Sequence, residues 1–282
     1  MKKTNLIYLG PAGSYTEIAA ESILAELGIT DFNRGIKNSI LSVIKSMNNS
    51  DGNIGVMPVE NSIEGIVRET VDNLVKTTTR VMITGEIIIP ISHCLISRAK
   101  TIDEIDKIVS ISQALAQCRH FLEKTFPNSE KIPTNSTSEA VKQLKDLPAN
   151  YAAVGSCKAA EIYGFNILFS NINDEKNNIT RFVSLGSEIP SMTGNDKTSI
   201  AFSTTNKPGA LFEVLSILKE KNINLSYLES RPSKKVFGDY TFFMDFEGHI
   251  EDENIRQAVG KIMPYVNFYR FLGSYAKGKI AQ

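Results

Sequence analysis

A repeated succession of apolar segment, polar turn and capped helix constrains the fold of this chain of 282 residues more than any other feature. In the first repeat, residues 6–9 are apolar, residues 10–13 form a Gly-Pro-Ala-Gly turn, and residues 14–17 match a capping box that opens a helix. Comparable repeats follow at residues 54–74, 108–124, 132–147 and 151–163. Because strands and helices alternate at this spacing, we expect doubly wound α/β units with parallel sheets.

Polar clusters fall where the predicted strands end and the predicted helices begin, and each is expected to cap the helix that follows it. Ligands of α/β folds bind at the carboxyl ends of strands, where helix N-termini offer unpaired N–H groups and a partial positive charge. We therefore expect a small, multiply anionic ligand at this place. The clusters are Gly13-Ser14, Asn61-Ser62, Ser110 to Gln113, and Ser136-Thr137.

A hydroxyl, a permanent cation and an aromatic ring follow one another at Thr180, Arg181 and Phe182. The Thr180 hydroxyl is a neutral proton donor, Arg181 fits a bidentate contact with a carboxylate, and Phe182 offers an apolar wall. Alone, the triplet also fits an ordinary edge strand. The polar clusters contain no obvious base or nucleophile, and His93 is expected to be a structural, hydrogen-bonded histidine. Chemistry here would depend on proton donation and positioning.

Composition excludes several classes of function. Lys+Arg and Asp+Glu both number 31 and are interspersed, which argues against nucleic acid and against an anionic membrane surface. The apolar runs at residues 6–9 and 87–91 are too short for a signal peptide or a membrane span. Cys94, Cys118 and Cys157 are far apart and lack metal-ligand spacing, so we expect neither a disulfide framework nor a zinc site. The sequence predicts a soluble cytoplasmic protein.

The C-terminal part reads as a separate unit. A linker at residues 190–197 precedes a βαββαβ pattern, which is ferredoxin-like and contains no candidate catalytic cluster. A glycine-containing turn opening a helix and a strand end offer N–H groups for an amino acid's carboxylate and acceptors for its ammonium group. The candidate effector residues are Asn206, Pro208, Gly209, Ala210, Leu211, Glu229, Ser230, Arg231 and Pro232.

Taken together, these motifs resemble those of the prephenate dehydratase family, in the family's order and over about residues 5–275. The matching stretches are residues 10–16, 58–65, 113–118, 136–140 and 180–182, followed by residues 209–211 and 229–232, which resemble the phenylalanine-binding motifs of an ACT domain. One departure is visible: the family's Ser-His-Pro is Ser110-Ile111-Ser112 here, so no role is carried over to these positions. We expect no chorismate mutase domain, since the first motif starts at Gly10.

The resemblance implies conversion of prephenate to phenylpyruvate with loss of water and carbon dioxide, without a metal or an organic cofactor. Thr180 would donate a proton to the departing hydroxyl, Arg181 would hold a carboxylate or orient its loop, and Phe182 would pack beside the ring. The remaining charges and polar groups of prephenate would be bound by Ser14, Asn61, Ser62, Gln113, Ser136 and Thr137.

The resemblance also implies a two-lobed, periplasmic-binding-protein-like catalytic region with a cleft. Lobe one would be residues 1–78 and 168–187, and lobe two residues 79–167; a linker at 188–196 and an ACT regulatory domain at 197–282 would follow. L-phenylalanine would be the feedback effector of a homodimer or homotetramer. A chain ending near Gly194 is expected to be active but insensitive to phenylalanine.

Two alternatives remain open. Arogenate dehydratase acts on a substrate with an amino group in place of the keto group, and no carboxylate is placed decisively to recognise that group. A non-catalytic amino-acid sensor would also have two lobes and a regulatory unit. Thr180 discriminates against the sensor, because a pure binding protein does not need a buried proton donor at the cleft.

Overall fold

Strands and helices alternate along the chain, and the computed structural model describes residues 3–47, 52–77, 79–232 and 239–281. In chain order the elements are β1 (Thr4–Leu9), α1 (Tyr15–Glu26), β2 (Phe32–Lys37), α2 (Ile40–Ser46), β3 (Asn53–Asn61), β4 (Gly65–Ile66), α3 (Arg68–Lys76), β5 (Met82–Pro90), β6 (Cys94–Ser97), β7 (Lys107–Ser110), α4 (Ser112–Gln117), α5 (Arg119–Thr125), β8 (Glu130–Pro133), α6 (Thr137–Gln143), β9 (Tyr151–Gly155), α7 (Cys157–Tyr163), β10 (Asn166–Phe169), β11 (Ile179–Gly186), β12 (Asp196–Thr204), α8 (Ala210–Glu220), β13 (Leu225–Pro232), β14 (Tyr240–Glu247), α9 (Glu253–Ile262) and β15 (Val266–Ala276).

Three sheets organise these elements. The first has the strand order β2-β1-β3-β11-β5 with β4 paired to β3, the second β10-β6-β9-β7-β8, and the third β13-β14-β12-β15. The first two sheets each pack helices around their own apolar core. The third carries α8 and α9 on one face, in the βαββαβ order that the sequence predicts. The predicted α/β fold class is therefore confirmed.

The two α/β sheets are mixed, which corrects the expectation of parallel sheets. β11 runs antiparallel to both β3 and β5, and β6 runs antiparallel to β9 and β10. The reason is that the chain crosses from the first sheet to the second and later returns. The two crossings lie side by side, since Ile91 N–H donates to Asn178 O (2.8 Å) and Ile172 N–H to His93 O (3.0 Å). β11 therefore begins where the chain returns from the second sheet to the first.

Two of the four predicted helix caps are confirmed. Ser14 Oγ accepts the Glu17 N–H at 3.3 Å, and Ser136 Oγ accepts the Glu139 N–H at 3.1 Å. Each bond satisfies one of the donors that a helix N-terminus leaves unpaired.

The other two predicted caps are wrong. After Asn61 the chain forms a turn and β4, so α3 begins only at Arg68 and has no side-chain cap. Ser110 ends β7, and its hydroxyl donates to the carbonyl of Val154 at 2.7 Å. α4 consequently starts at Ser112 without a side-chain cap.

Cys94 and Cys157 form a disulfide, which corrects the expectation drawn from cysteine spacing. Cys94 lies opposite Gly155 in the pairing of β6 with β9, and α7 begins with Cys157 two residues later. Pairing of distant strands therefore brings together cysteines that the sequence separates by 63 residues. Cys118 is free, and its burial raises the pKa of the thiol to about 12. Within the described ranges, no helix is long and apolar enough to span a membrane.

The C-terminal domain shares a core with the first sheet. Tyr275, Leu272 and Phe243 belong to the same buried apolar cluster as Val183 of β11. At Gly273 a side chain would not fit, because a Cβ atom there would lie 2.1 Å from the carbonyl oxygen of Ile83. The backbones of β15 and β5 are therefore in direct contact at Gly273.

The end of the chain strengthens this attachment. Ile88 N–H of β5 donates to Lys279 O at 3.0 Å, and Ala281 N–H donates to Ile88 O at 2.9 Å. A chain ending near Gly194 would lose these bonds and expose the shared core. The expectation that such a chain is active but insensitive to phenylalanine therefore conflicts with the fold.

Candidate active site

The candidate site is built on β11, where Thr180 lies opposite Asn61 of β3 and Ile89 of β5. Successive side chains of a strand point to opposite faces of the sheet, so Thr180 and Arg181 diverge. Thr180 faces a group of amide side chains, whereas Arg181 faces the C-terminal domain. Thr180 is 8% exposed. The central position of β11 in the sheet thus holds the Thr180 hydroxyl in a fixed and buried position.

The Asn61 amide orients the Thr180 hydroxyl. Asn61 Oδ1 accepts the N–H groups of Ile63 and Glu64, both at 3.0 Å. This fixes the amide so that Nδ2 donates to Thr180 Oγ1 at 2.9 Å and to Asn178 Oδ1 at 2.7 Å. Because the Thr180 oxygen is already an acceptor, its own hydrogen remains available for a further acceptor. The arrangement leaves the Thr180 hydroxyl able to donate a hydrogen bond to a ligand.

The amide chain continues into the second sheet's helices. Asn178 Nδ2 donates to Gln117 Oε1 at 3.0 Å, and His93 Nε2 lies 3.2 Å from the same oxygen. Burial lowers the pKa of His93, although the bond to Gln117 acts in the opposite direction. A neutral His93 with its hydrogen on Nε2 donates to Gln117, which agrees with the structural role predicted for this histidine.

Gln117 is left with an unused donor. Its Oε1 is occupied by Asn178 and His93, while its Nε2 is buried and has no hydrogen-bond partner among the described residues. A buried donor without a partner is costly unless a ligand or water accepts from it. Gln117 Nε2 is therefore a candidate contact for an acceptor group of the substrate.

Sequence reasoning missed Gln117, Asn178 and the contribution of His93 to this network. It selected Gln113 instead, which is exposed and lies one turn before Gln117 on the same face of α4. The available signal was the spacing of the two glutamines by four residues, which places both on one side of a helix. Asn178 lies two residues before Thr180, but no feature of the adjacent sequence distinguishes it from the other asparagines of the preceding polar loop.

The backbone donors predicted for an anion are mostly engaged. Gly13 N–H donates to the buried Glu17 carboxylate at 2.7 Å, and Ser14 N–H to Pro11 O at 3.3 Å. Ser62 N–H donates to Ile179 O at 2.9 Å. The turns therefore use these particular donors for their own structure, and the binding of an anion by N–H groups near Ser14 and Ser62 stays a prediction.

The other predicted substrate contacts differ in position. The Ser62 hydroxyl donates to Asn177 O at 3.1 Å and accepts the Ile179 N–H at 3.0 Å, so it ties β3 to the start of β11. Ser136 and Thr137 lie at the start of α6, where Ser136 serves as a cap. Neither has a hydrogen bond to Thr180 in the described part of the chain, and their contact with substrate stays a prediction.

Phe182 lies in the core, and Arg181 is bound by the C-terminal domain. Phe182 is 2% exposed and packs in the core with Tyr8 and α1, so in this structure its neighbours are protein side chains. Arg181 Nη1 donates to Asp245 Oδ2 at 2.6 Å and to Glu86 Oε2 at 3.1 Å. Since Nη1 of the guanidinium is held by the C-terminal domain, the geometry favours the predicted alternative in which Arg181 orients its loop, and contact of Arg181 with a substrate carboxylate stays a prediction.

A compact charge network surrounds Arg181. Lys197 Nζ binds both oxygens of Glu86, at 2.7 and 3.0 Å, and the Arg181 guanidinium lies over the Tyr227 ring, 5.4 Å from its centroid. Burial alone would raise the pKa of Glu86, but the charges of Lys197 and Arg181 outweigh it and lower that pKa. Burial alone would lower the pKa of Arg181, but Asp245 and Glu86 raise it.

Six of the nine predicted effector residues line two separate cavities of the C-terminal domain. One cavity, of about 360 Å³, is lined by Asn206, Gly209, Ala210 and Leu211 together with Tyr240 and Phe242. Arg231 and Pro232 line the other, of about 430 Å³, between the third sheet and α3, where Arg231 pairs with Asp72. Glu229 and Ser230 precede them on β13, which is an edge strand. Ser230 and Pro232 lie opposite Phe242 and Tyr240 in the pairing of β13 with β14, so the second stretch adjoins the strand that lines the first cavity.

No group of three or more His, Cys, Asp or Glu side chains among residues 3–47, 52–77, 79–232 and 239–281 has an arrangement that could hold a metal ion.

Comparisons with known proteins match this architecture. Residues 6–190 match the family described as prephenate dehydratase, and residues 198–262 match the ACT domain. A bifunctional chorismate mutase/prephenate dehydratase of Aquifex aeolicus is 39% identical over 282 residues, covering 100% of this chain and 76% of the relative. A prephenate dehydratase of Methanocaldococcus jannaschii is 38% identical over 274 residues, covering 96% and 97%. The crystal structure of prephenate dehydratase from Arthrobacter aurescens in complex with L-Phe has a TM-score of 0.88 at 30% identity, covering 97% of this chain and 90% of that one.

The fold and the site thus define a two-lobed α/β domain of the periplasmic-binding-protein type, joined to an ACT domain. The chain belongs to the prephenate dehydratase family, which consists of carbon–oxygen lyases. The resemblance drawn from the motifs is confirmed.

Proposed function

We propose that the protein converts prephenate to phenylpyruvate, water and carbon dioxide, with Thr180 as the proton donor. One observation carries the assignment of Thr180: its oxygen accepts from Asn61 Nδ2 at 2.9 Å, which leaves its hydrogen for the substrate. Membership of the family and the names of the relatives support the reaction.

The electron flow is complete with this single donor. The bond between the ring and its carboxylate breaks, carbon dioxide leaves, and the electron pair enters the ring. The carbon–oxygen bond on the opposite side of the ring breaks, and the departing oxygen takes the Thr180 proton and leaves as water. The Thr180 oxygen then regains a proton from solvent, so each turnover consumes one proton. Formation of the aromatic ring drives the reaction.

The amide groups take the role of positioning. Gln117 Nε2 offers a free donor for a carboxylate or for the keto oxygen of the side chain, while His93 and Asn178 hold its other end. Since the Arg181 charge is directed to Asp245, binding of the substrate here depends on neutral donors. Neutral donors suit this reaction, because the negative charge of the ring carboxylate must leave the ring during turnover. No metal or organic cofactor forms part of the proposal.

L-phenylalanine is the proposed effector, and the cavity at residues 206–211 is its proposed site. The ACT-domain match and the L-Phe complex of the Arthrobacter aurescens relative support this. Because the second stretch, residues 229–232, lies on the edge strand β13, which a further strand can join, we propose that a second copy of the chain completes the site. The functional unit would then be a homodimer or a larger homo-oligomer.

The test is incubation of the pure protein with prephenate, followed by measurement of phenylpyruvate. Formation of phenylpyruvate by the wild type and its loss in Thr180→Val are expected. Formation of phenylalanine from arogenate, without turnover of prephenate, would favour arogenate dehydratase. Binding of phenylalanine with neither reaction would favour an amino-acid sensor. Gel filtration with and without phenylalanine tests the oligomeric state.

A further inference from the structure

We infer that Asp245 of the C-terminal domain is a positioning residue for the reaction: it anchors Arg181 and thereby fixes the orientation of the neighbouring Thr180 hydroxyl. The inference rests on the proposed function, in which Thr180 donates the proton. It assigns a role in turnover to a carboxylate that lies outside the catalytic domain.

Asp245 is itself held rigidly. It is 0% exposed, and both of its oxygens are in use: Oδ2 accepts from Arg181 at 2.6 Å and Oδ1 from Ser199 Oγ at 2.6 Å. Since Ser199 donates to Asp245, the Tyr275 hydroxyl, 2.6 Å away, donates to Ser199. A carboxylate fixed at both oxygens can act as an anchor for a cation.

Cations and carboxylates alternate around this anchor. Arg181 and Lys197 oppose the buried Glu86 and Asp245, the half-buried Glu60 lies 3.4 Å from Arg181 Nε, and Gly278 N–H adds a bond to Glu86 Oε1 at 2.9 Å. Removal of one partner from such a buried set leaves an uncompensated charge. Arg181 is only 9% exposed and cannot replace Asp245 with water without moving. Any movement of Arg181 is transmitted to its own backbone.

The β11 backbone at this point is irregular on its β3 side. The pairing of β11 with β3 shifts register between Arg181 and Phe182, which lies opposite Pro58. A bulge interrupts that ladder, and proline has no N–H group to contribute to it, whereas the ladder with β5 is regular there. Arg181 and Thr180 share a planar peptide group, so a rotation of one reorients the other. The ion pair with Asp245 therefore adds a constraint next to the interrupted ladder.

The same strand connects this anchor with the proposed effector cavity. Tyr240 and Phe242 of β14 line the cavity at residues 206–211, and Asp245 follows Phe242 by three residues on β14. An effector that displaces the start of β14 moves Asp245 with it. Phenylalanine would then act on turnover through Arg181, provided that it binds the two positions of β14 with different affinity.

The test compares Asp245→Asn with Asp196→Asn. Asparagine keeps the size of Asp245 and can still accept from Ser199, but it cannot neutralise Arg181. We expect kcat for prephenate to fall about 10²-fold, the usual size for a small misplacement of a catalytic group, with a much smaller change in KM. Asp196 is the matched control, because it is a buried carboxylate of the same domain that binds Thr193 and the Gly194 N–H and has no bond to Arg181. Asp196→Asn is expected to leave kcat unchanged.

A double variant separates positioning from general destabilisation. If Asp245 acts through Arg181, Arg181→Lys combined with Asp245→Asn costs no more in kcat than the more severe single change. Multiplied losses in the double variant, an unchanged kcat in Asp245→Asn, or an equal loss in Asp196→Asn would each overturn the inference.

Amide hydrogen exchange of residues 178–182 provides a readout without turnover. Exchange should become faster in Asp245→Asn and stay unchanged in Asp196→Asn. A wild-type protein inactive on prephenate and arogenate would refute the proposed function, whereas the exchange measurement would still decide whether Asp245 fixes this part of β11. Unchanged exchange in Asp245→Asn would refute the inference alone.

Discussion

Asn61 Nδ2 donates to Thr180 Oγ1 at 2.9 Å, and the opposite end of the same amide is held by two backbone N–H groups. The direction of this bond decides what Thr180 can do, since a hydroxyl that accepts at its oxygen is free to donate its hydrogen. The side chain of Asn61 thus orients the Thr180 hydroxyl and leaves it uncharged.

Removal of the Thr180 hydroxyl should abolish most of the turnover. Thr180→Val keeps the shape of the side chain but has no proton to donate, so kcat should fall about 10²–10⁴-fold, or about 3–5 kcal/mol of barrier. Thr180→Ser retains the hydroxyl and should keep much more activity. Initial rates with saturating prephenate measure both. Turnover of Thr180→Val close to that of the wild type would remove Thr180 from the mechanism.

The direction of the Asn61 bond can be tested by reversing it. Asn61→Asp still accepts from Ile63 and Glu64 but presents a carboxylate oxygen to Thr180, which then donates its hydrogen to Asp and no longer to the substrate. We expect Asn61→Asp to lower kcat about 10²-fold or more, because the proton donor is lost although its hydroxyl remains. Ser62→Ala, which removes a bond of the neighbouring residue to Asn177 O, is the control and should cost less in kcat. A larger loss in Ser62→Ala would contradict the assignment.

Stability at mildly acid pH should depend on His93. Its burial lowers the pKa below the ordinary value of 6.5, so the unfolded chain binds a proton on His93 at a pH where the folded protein does not. Protonation then favours the unfolded state. The free energy of unfolding should fall as pH drops below about 6.5 and level off once His93 of the folded protein also titrates.

His93→Gln keeps a donor for Gln117 but has no titrating ring. Urea unfolding of this variant and of the wild type across the range from neutral to mildly acid pH measures the difference. The wild type should lose more stability on acidification than His93→Gln. Parallel curves would mean that other groups cause the acid sensitivity.

Patterns of adjacent residues predict much of the fold but few of the contacts between the site residues and their distant partners. The Ser14 cap and the strand before it follow from adjacent residues, and both are found as predicted. Thr180 was recognised because its family motif is contiguous. The motif leaves two roles open for Arg181, holding a carboxylate or orienting its loop, because its partner Asp245 is 64 residues away and belongs to another sheet. No local signal indicates which face of β11 the C-terminal domain covers.

The same reason explains why the sequence predicts an active enzyme without the C-terminal domain. Its βαββαβ pattern is self-contained in sequence, and its helices do form a core of their own. The opposite face of its sheet is buried against β5 and β11, which only the tertiary structure shows. Point substitutions in the effector cavity are therefore a better test of regulation than a chain ending near Gly194.

Gly209 allows such a test. It precedes α8 with φ of +80°, a conformation that side chains with a Cβ rarely adopt, and it lines the proposed effector cavity. Apart from its two chain neighbours, no atom of the described residues lies within 4 Å of a Cβ built there, so Gly209→Val would strain the backbone, at about 1–3 kcal/mol, without crowding the turn. A distorted turn presents its N–H groups wrongly to the carboxylate of phenylalanine.

The expected result for Gly209→Val is unchanged turnover without effector and a half-inhibiting concentration of phenylalanine raised about tenfold or more, as a loss of about 1.4 kcal/mol in binding would give. Gly260→Val is the matched control, because Gly260 lies inside α9, has space for a side chain and has no positive φ. Turnover measured against phenylalanine concentration for the wild type and both variants decides the matter. If Gly209→Val is inhibited in parallel with the wild type, phenylalanine binds elsewhere, and the proposed link from the cavity through β14 to Asp245 fails with it.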